Sequence, residues 1–432
     1  MSGRTRVRHD GLRWATIGLL VLSAVSAGAL VGLVAARQLG LATTTAIDPI
    51  LDGARELQPG PLAELAHARA QMGAAWLAGL SREDGSFFYI YYPEAREFEA
   101  EDYNEVRHAG TTYSMFQAYG AFGGDSMLEA AERGAQYIAD NSVPAGDGGR
   151  AFVYNGRMKL GGQALALVAL LERRRVLGDE AHDELIAGLS NFMMSLELAN
   201  EPGRYYQSYD SEAQEPSLEP DSDFYPGEAL LALTRLAQHY PDGPYLNYAA
   251  RAADYLVHER DGDIPAAGVV PREDHWLALA LSELHQLHPD DAYRDVAYLQ
   301  AESMVANQYT AADGALRVGG SALRNPINYT STATKGEALV AVWAMAAATG
   351  DDEAAARYAA AARRNVQFQL RVQFTPENTE LFPDPGMVIG AWGKDALDPW
   401  IRIDFVQHNI SALIGVWYMT TEGSIPLATP ID

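Results

Sequence analysis

The sequence predicts an all-α domain, a closed ring of six helical hairpins. Three observations predict it. An apolar phrase recurs six times along the chain, an amphipathic helix precedes each copy, and the connections alternate between short and long. A repeat of this kind fixes the architecture before any single helix is considered.

The first observation is clearest in Asp223-Phe-Tyr-Pro-Gly-Glu-Ala-Leu-Leu-Ala-Leu. Pro226 suits a first helical turn, where its missing N–H is not needed. Glu228 complements the positive end of the helix dipole. The Ala-Leu run is apolar nearly all round, so protein should enclose this helix. Echoes begin at His108, Gly161, His275, Lys335 and Asn409. Aligned on Gly227, the six copies fall at 110, 162, 227, 275, 336 and 410. The uneven steps between them place the length variation in loops. Inner helices are expected at 109–122, 160–177, 226–239, 274–288, 335–349 and 406–420.

The second observation is a set of Ala-rich amphipathic stretches at 61–80, 125–140, 179–198, 243–258, 291–307 and 351–371. Gly124-Asp125, Gly178-Asp179, Asp290-Asp291 and Asp351-Asp352 read as stops followed by N-caps. The third is loop asymmetry. Connections leading into the apolar helices are long and carry Asp-Gly turns with aromatics, as in Asp84-Gly-Ser-Phe-Phe-Tyr and Asp147-Gly-Gly-Arg-Ala-Phe. The return connections are short. This alternation gathers the long loops and all six inner-helix N-termini at one mouth, the natural place for a site.

Ahead of this domain, residues 1–13 carry Arg4, Arg6, Arg8 and Arg13, and Trp14 to Ala36 run without a charge. A stretch of this length spans a bilayer, and the arginines orient the remainder outward. The expectation is a cytoplasmic tail at 1–13, a transmembrane signal-anchor at 14–36, a linker at 37–60 and the ring at 61–432. Ala27-Gly-Ala29 offers the alternative of a cleaved signal peptide and a secreted domain.

Composition narrows the function. Lys and Arg number 32 against 57 Asp and Glu, a net charge of −25, which excludes sequence-independent nucleic-acid binding. With no cysteine, thiolate zinc sites and cysteine nucleophiles are ruled out.

With its six Gly-x-Ala-Leu inner helices and Asp-Gly-aromatic loops, the stretch 61–420 resembles the six-hairpin, or (α/α)6-toroid, superfamily of carbohydrate-active enzymes. The resemblance implies a sugar-binding cleft at the inner-helix N-terminal mouth. It covers glycoside hydrolases, polysaccharide lyases and sugar epimerases alike, and no single family's catalytic signature is matched.

The residues at the mouth carry the finer expectations. Arg107, Lys159, Arg272 and Lys335 stand at or just before inner-helix starts, where a cation opposes the helix dipole. Such cations suit an anionic ligand, so the expected partner is an acidic glycan. The leading reading is hydrolysis, with Glu228 and Asp223 as the carboxyl pair and Asp404 as a third candidate. Asn104, Arg107, His108, Lys159, Tyr225, His275, Trp276, Lys335, Glu337 and His408 are the expected substrate contacts. Thr334 and Glu337 also have the spacing of a capping box. His108 and His408 hold matching positions in the first and last repeats, which ring closure would make neighbours. A lyase or uronyl epimerase with a His or Tyr base is the second reading, and a non-catalytic glycan- or protein-binding toroid the third. No cofactor is expected. No metal is expected either, because His-x-x-x-His spacing is absent.

Overall fold

The computed structural model describes residues 56–99, 103–267 and 272–426, all within one compact unit, Asp52–Asp432. The expected tail, the signal-anchor and nearly all of the linker lie outside the described residues. Among the described residues no helix is long and apolar enough to cross a membrane.

Twelve principal helices alternate between two layers. The outer ones are α1 (Pro59–Gly79), α3 (Asp125–Asp140), α5 (Asp183–Ser195), α7 (Tyr245–His258), α9 (Asp291–Ala306) and α11 (Asp352–Val372). The inner ones are α2 (Glu105–Phe122), α4 (Leu160–Leu177), α6 (Tyr225–His239), α8 (His275–Leu287), α10 (Tyr329–Thr349) and α12 (Ile403–Thr421). Each inner helix packs on the next, and α12 packs on α2, so the inner ring closes. The outer helices α3, α5, α7, α9 and α11 each cover the inner helix before them, and α1 covers α12.

Burial follows the sequence pattern. Every residue of α4 from Leu160 to Arg173 is buried, as an apolar-all-round helix requires. In α3 the buried set is Met127, Ala130, Ala131, Gly134, Ala135 and Ile138, one stripe at helical spacing. Burying each large aliphatic side chain contributes about 1.5–3 kcal/mol. Close approach needs small residues: a Cβ on Gly134 would stand 2.5 Å from Thr112 Oγ1. Gly178 and Gly350 end α4 and α10 in the left-handed conformation, at φ 68° and 76°.

Asp290 and Asp351 cap α9 and α11 as expected, accepting from Ala292 and Ala354 N–H. The cap of α5 differs: Asp179 accepts from Arg173 instead, and α5 starts at Asp183. Three inner helices also begin earlier than the apolar phrase suggests, because polar first turns precede it. Asn104 caps α2 and Asn328 caps α10, through Arg107 N–H and Ser331 N–H. Lys335 and Glu337 are therefore in the second and third turns of α10. The expected Thr334–Glu337 capping box does not form; the Thr334 hydroxyl donates to Ser331 O.

The long connections hold all eight short strands. β1 (Ile90–Tyr92) pairs antiparallel with β2 (Glu97–Glu99), and also with β8 (Ile401–Arg402) from the last long connection. β3 (Ser142–Pro144) pairs with β4 (Arg150–Phe152). β5 (Arg157–Lys159), β6 (Ser208–Asp210) and β7 (Glu215–Ser217) form a third sheet. Pairing between different connections ties the rim of the mouth together.

Candidate active site

The N-terminal turns of the inner helices and the residues just before them hold three groups of polar side chains. The first is His275, Glu337 and His408, one each from α8, α10 and α12. His408 Nδ1 is 2.8 Å from Glu337 Oε2, and His275 Nε2 is 4.0 Å from the same oxygen. The two imidazoles meet edge to face, with centroids 5.3 Å apart, and Trp276 backs both rings. His275 Nε2 is buried with no hydrogen-bond partner among the described residues.

The electrostatics of these two rings diverge. Burial lowers the His275 pKa well below the ordinary value, helped by His408 and Lys335, so this ring is neutral. Burial also opposes charge on His408, but the charge and hydrogen bond of Glu337 outweigh it and raise its pKa. Burial raises Glu337 too, against the opposing effects of His408 and a Ser411 hydrogen bond. Two groups pushed apart in this way are an acid–base pair by environment.

These three side chains also form the one His/carboxylate grouping near enough to share a cation among the described residues, with ligand atoms within 4.8 Å. The same Glu337 oxygen already faces His408 Nδ1. A proton shared there and a bound cation exclude one another.

The second group is the buried carboxylates. Glu228, in the first turn of α6, is 4% exposed, with Oε2 unpartnered. Burial, then the charge of Asp274, push its pKa up to about 8. Asp274 is fully buried and caps α8 through Leu277 N–H. Its other oxygen makes no hydrogen bond among the described residues, with Arg260 Nη1 4.0 Å away, and burial raises the carboxyl to about 7. Glycine makes room for both carboxylates: Cβ atoms on Gly161 and Gly227 would lie 2.2 Å from Glu228 Oε2 and 2.5 Å from Asp274 Oδ2.

The third group is the cations, and each is already held by acid. Arg107 donates to Asp404 at 3.2 Å and to the Tyr89 hydroxyl at 2.8 Å. Asp404 also accepts two bonds from Arg402. Burial alone would raise the Asp404 pKa, but these arginines bring it below the ordinary value. Lys159 is 3.1 Å from Glu105, and Lys335 is 3.0 Å from Glu273. Arg272 pairs with Asp223 and Asp261.

The remaining expected contacts separate. Tyr225 opens α6 and packs where Gly161 leaves space, beside Glu228. Asn104 is occupied as the α2 cap. His108 does not meet His408. It is fully buried against the outer layer, its Nδ1 2.6 Å from the Tyr103 hydroxyl and its Nε2 3.0 Å from Gly134 O. Burial takes its pKa down to about 4, and it stacks on Tyr137. Asp223 is more than half exposed in its pair with Arg272, and its charge is among the smaller effects that raise Asp274. Glu105 and Glu273 were not singled out by sequence; their only signal is an acid next to a helix start. Phe224, 44% exposed, lines a cavity of about 420 Å³ beside His275 with Leu323, Arg324 and Lys335.

Solved structures with the same ring now bear on the chain. A D-mannose isomerase superposes with a TM-score of 0.59 at 14% identity, over 82% of this chain and 97% of its own. A cellobiose 2-epimerase from Spirochaeta thermophila DSM 6192 gives 0.59 at 14%, over 83% and 98%. A GH76 α-mannanase from Bacteroides thetaiotaomicron gives 0.59 at 12%, over 85% and 100%. The chain shares the fold of these proteins, an (α/α)6 toroid. No family model and no curated protein matches this toroid. At these identities the likeness carries the fold, and the chemistry rests on the side chains.

Proposed function

We propose that the toroid is a carbohydrate-active enzyme that moves a proton on a carbon beside a sugar carbonyl, as a sugar isomerase or 2-epimerase does. The carrying observation is the His275–His408 pair: a neutral imidazole with a free, buried Nε2 beside one whose hold on a proton Glu337 strengthens. His275 Nε2 removes the C2 proton of the open-chain aldose. The C–H electron pair becomes the C1–C2 double bond, and the carbonyl pair moves to O1, which takes the proton of His408. Loss of the O2 proton to His408 with return of a proton from His275 to C1 gives the ketose, and loss of the O1 proton back to His408 with delivery of a proton to the other face of C2 gives the epimer. Each positioned proton-transfer group contributes about 10²–10⁴ in rate.

The preferred substrate is a neutral sugar. The cations expected to hold an acidic glycan are each engaged by a carboxylate, which removes the reason to assign an anion there. The neighbours that are a mannose isomerase and a cellobiose epimerase agree with this reading in substrate class.

Hydrolysis is the second reading, and Glu228 favours it. A buried carboxyl with a pKa near 8 is protonated at neutral pH and can act as a general acid. Its partner would be Asp274 rather than the exposed Asp223. Anchoring of the domain to a membrane through residues 14–36 stays part of the proposal, with an extracytoplasmic site.

The test is incubation with mannose, glucose and cellobiose in D₂O, followed by NMR. Deuterium at C2 with formation of epimer or ketose is expected, and it should vanish in His275→Asn and His408→Asn. Release of reducing ends from mannan without C2 exchange would replace this reading with hydrolysis.

A further inference from the structure

His275 belongs to two features at once. Its ring meets His408 edge to face, at 5.3 Å between centroids, and it meets Phe224 in the same manner, at 5.9 Å and 61°. Phe224 and His275 are both walls of the cavity of about 420 Å³, with Leu323, Arg324, Lys335 and Glu273 among the others. The ring that takes the proton is therefore also a wall of a space that extends past Phe224.

The side chains of that space are unusual in their exposure. Phe224 is 44% exposed and Leu323 is 47% exposed. A single exposed apolar side chain is ordinary. These two come from different connections, one leading into α6 and the other into α10, and they meet at one cavity. Beside them Arg324 is exposed and, among the described residues, forms no ion pair. Lys335 in the same cavity is different. Its three donors are taken by Ser331 O at 3.1 Å, Ser331 Oγ at 3.0 Å and Glu273 at 3.0 Å. Arg324 thus brings the free N–H donors of the cavity, and Phe224 and Leu323 bring an apolar wall.

That combination matches a sugar ring, which offers a C–H face and hydroxyl oxygens that accept hydrogen bonds. It is not the place of the reacting carbons, because C2 must lie at His275 Nε2 and O1 at His408. The volume falls within the range of about 300–1,000 Å³ of whole ligand pockets. The cavity can hold a unit of its own beyond the carbons at the two imidazoles.

We propose that Phe224, Leu323 and Arg324 form a second sugar subsite, so that the protein acts on the reducing end of a neutral disaccharide or longer oligosaccharide in preference to a free hexose. This names the substrate class of the His275–His408 site and rests on the reading of that pair as proton carriers. Phe224 presents its ring to the C–H face of the second sugar, Leu323 extends the apolar wall, and Arg324 donates to the second sugar's hydroxyls. All three determine specificity and none takes part in the proton transfer.

The test is calorimetric titration of the full chain with open-chain alditols, which resemble the open-chain aldose but have no carbonyl to react. Glucitol represents the reacting unit alone. Cellobiitol, maltitol and isomaltitol carry a second ring in three linkages. At least one of the three should bind tenfold or more tighter than glucitol. That preference should fall roughly tenfold in Phe224→Ala and severalfold in Arg324→Ala, and Phe224→Tyr, which keeps the ring face, should retain it. Three disaccharide alditols binding no tighter than glucitol would overturn the subsite, as would a preference untouched by Phe224→Ala or by Arg324→Ala. The readout is independent of turnover. A preference of the expected kind with no C2 exchange on cellobiose would remove the isomerase reading and leave the subsite standing. C2 exchange with equal kcat/KM on glucose and on the disaccharides would do the reverse.

Discussion

His408 Nδ1 and Glu337 Oε2 lie 2.8 Å apart across the contact of α12 with α10, both side chains a tenth exposed or less. In that setting the carboxylate decides the charge of the imidazole. Glu337→Gln keeps the shape and removes the charge. The His408 pKa should then fall below its parent value, because burial is no longer opposed. The alkaline limb of the kcat profile should move to lower pH, and kcat at neutral pH should fall roughly 10²-fold. Equal kcat profiles for the parent and the variant would show that Glu337 does not govern the acid.

A second prediction concerns stability and pH. The folded-state pKa of Glu228 is raised to about 8. The native protein therefore holds a proton that the unfolded chain has already released above its own, lower value. Stability is lost as pH rises from the ordinary carboxyl range through about 8, and is regained as pH falls. Glu228→Gln removes this dependence. It should be nearly neutral at pH 4 and stabilising at pH 9, by on the order of a few kcal/mol. Urea melts of both proteins at the two pH values measure it, and an equal effect at both would contradict the buried, protonated state.

Glu105 and Lys159 supply a third. Glu105 has no exposed surface, and Lys159 is its only ion-pair partner among the described residues. Lys159→Met leaves a buried charge uncompensated and should destabilise the domain by about 3–5 kcal/mol. Adding Glu105→Gln to the same chain should recover most of that loss. Thermal melts of the single and double variants decide it. If the lysine instead serves an anionic ligand, the single variant melts normally and only binding weakens.

The ring was readable from sequence because a helix enclosed by protein has no polar face, and six such stretches cannot be hidden. The site was less so, for reasons that individual residues make plain. His108 and His408 share a place in the repeat alignment, but His108 is fourth in α2 and His408 is sixth in α12. Two residues of helix turn a side chain by about 200°, enough to send one ring to the outer layer and the other to the axis. Glu337 matched a capping spacing to Thr334, but α10 begins at Tyr329, so that spacing falls in mid-helix. The mouth cations stand out in the sequence by their place at helix starts. The partners Glu105 and Glu273 come from neighbouring helices or loops, and linear spacing carries no trace of such pairing.

The last prediction separates proton transfer from metal chemistry at His275, Glu337 and His408. If these groups move protons, exhaustive dialysis against a chelator leaves C2 exchange intact. Added zinc ion then inhibits, because soft imidazole nitrogens and a carboxylate within 4.8 Å of one another suit it and binding displaces the proton between His408 and Glu337. The inhibition should weaken as pH falls, since protons compete with the cation for the same nitrogen and oxygen. His275→Asn should reduce zinc affinity without shifting the His408 titration upward. Loss of exchange on chelation, with restoration by one equivalent of a divalent ion, would instead assign the three side chains to a catalytic metal.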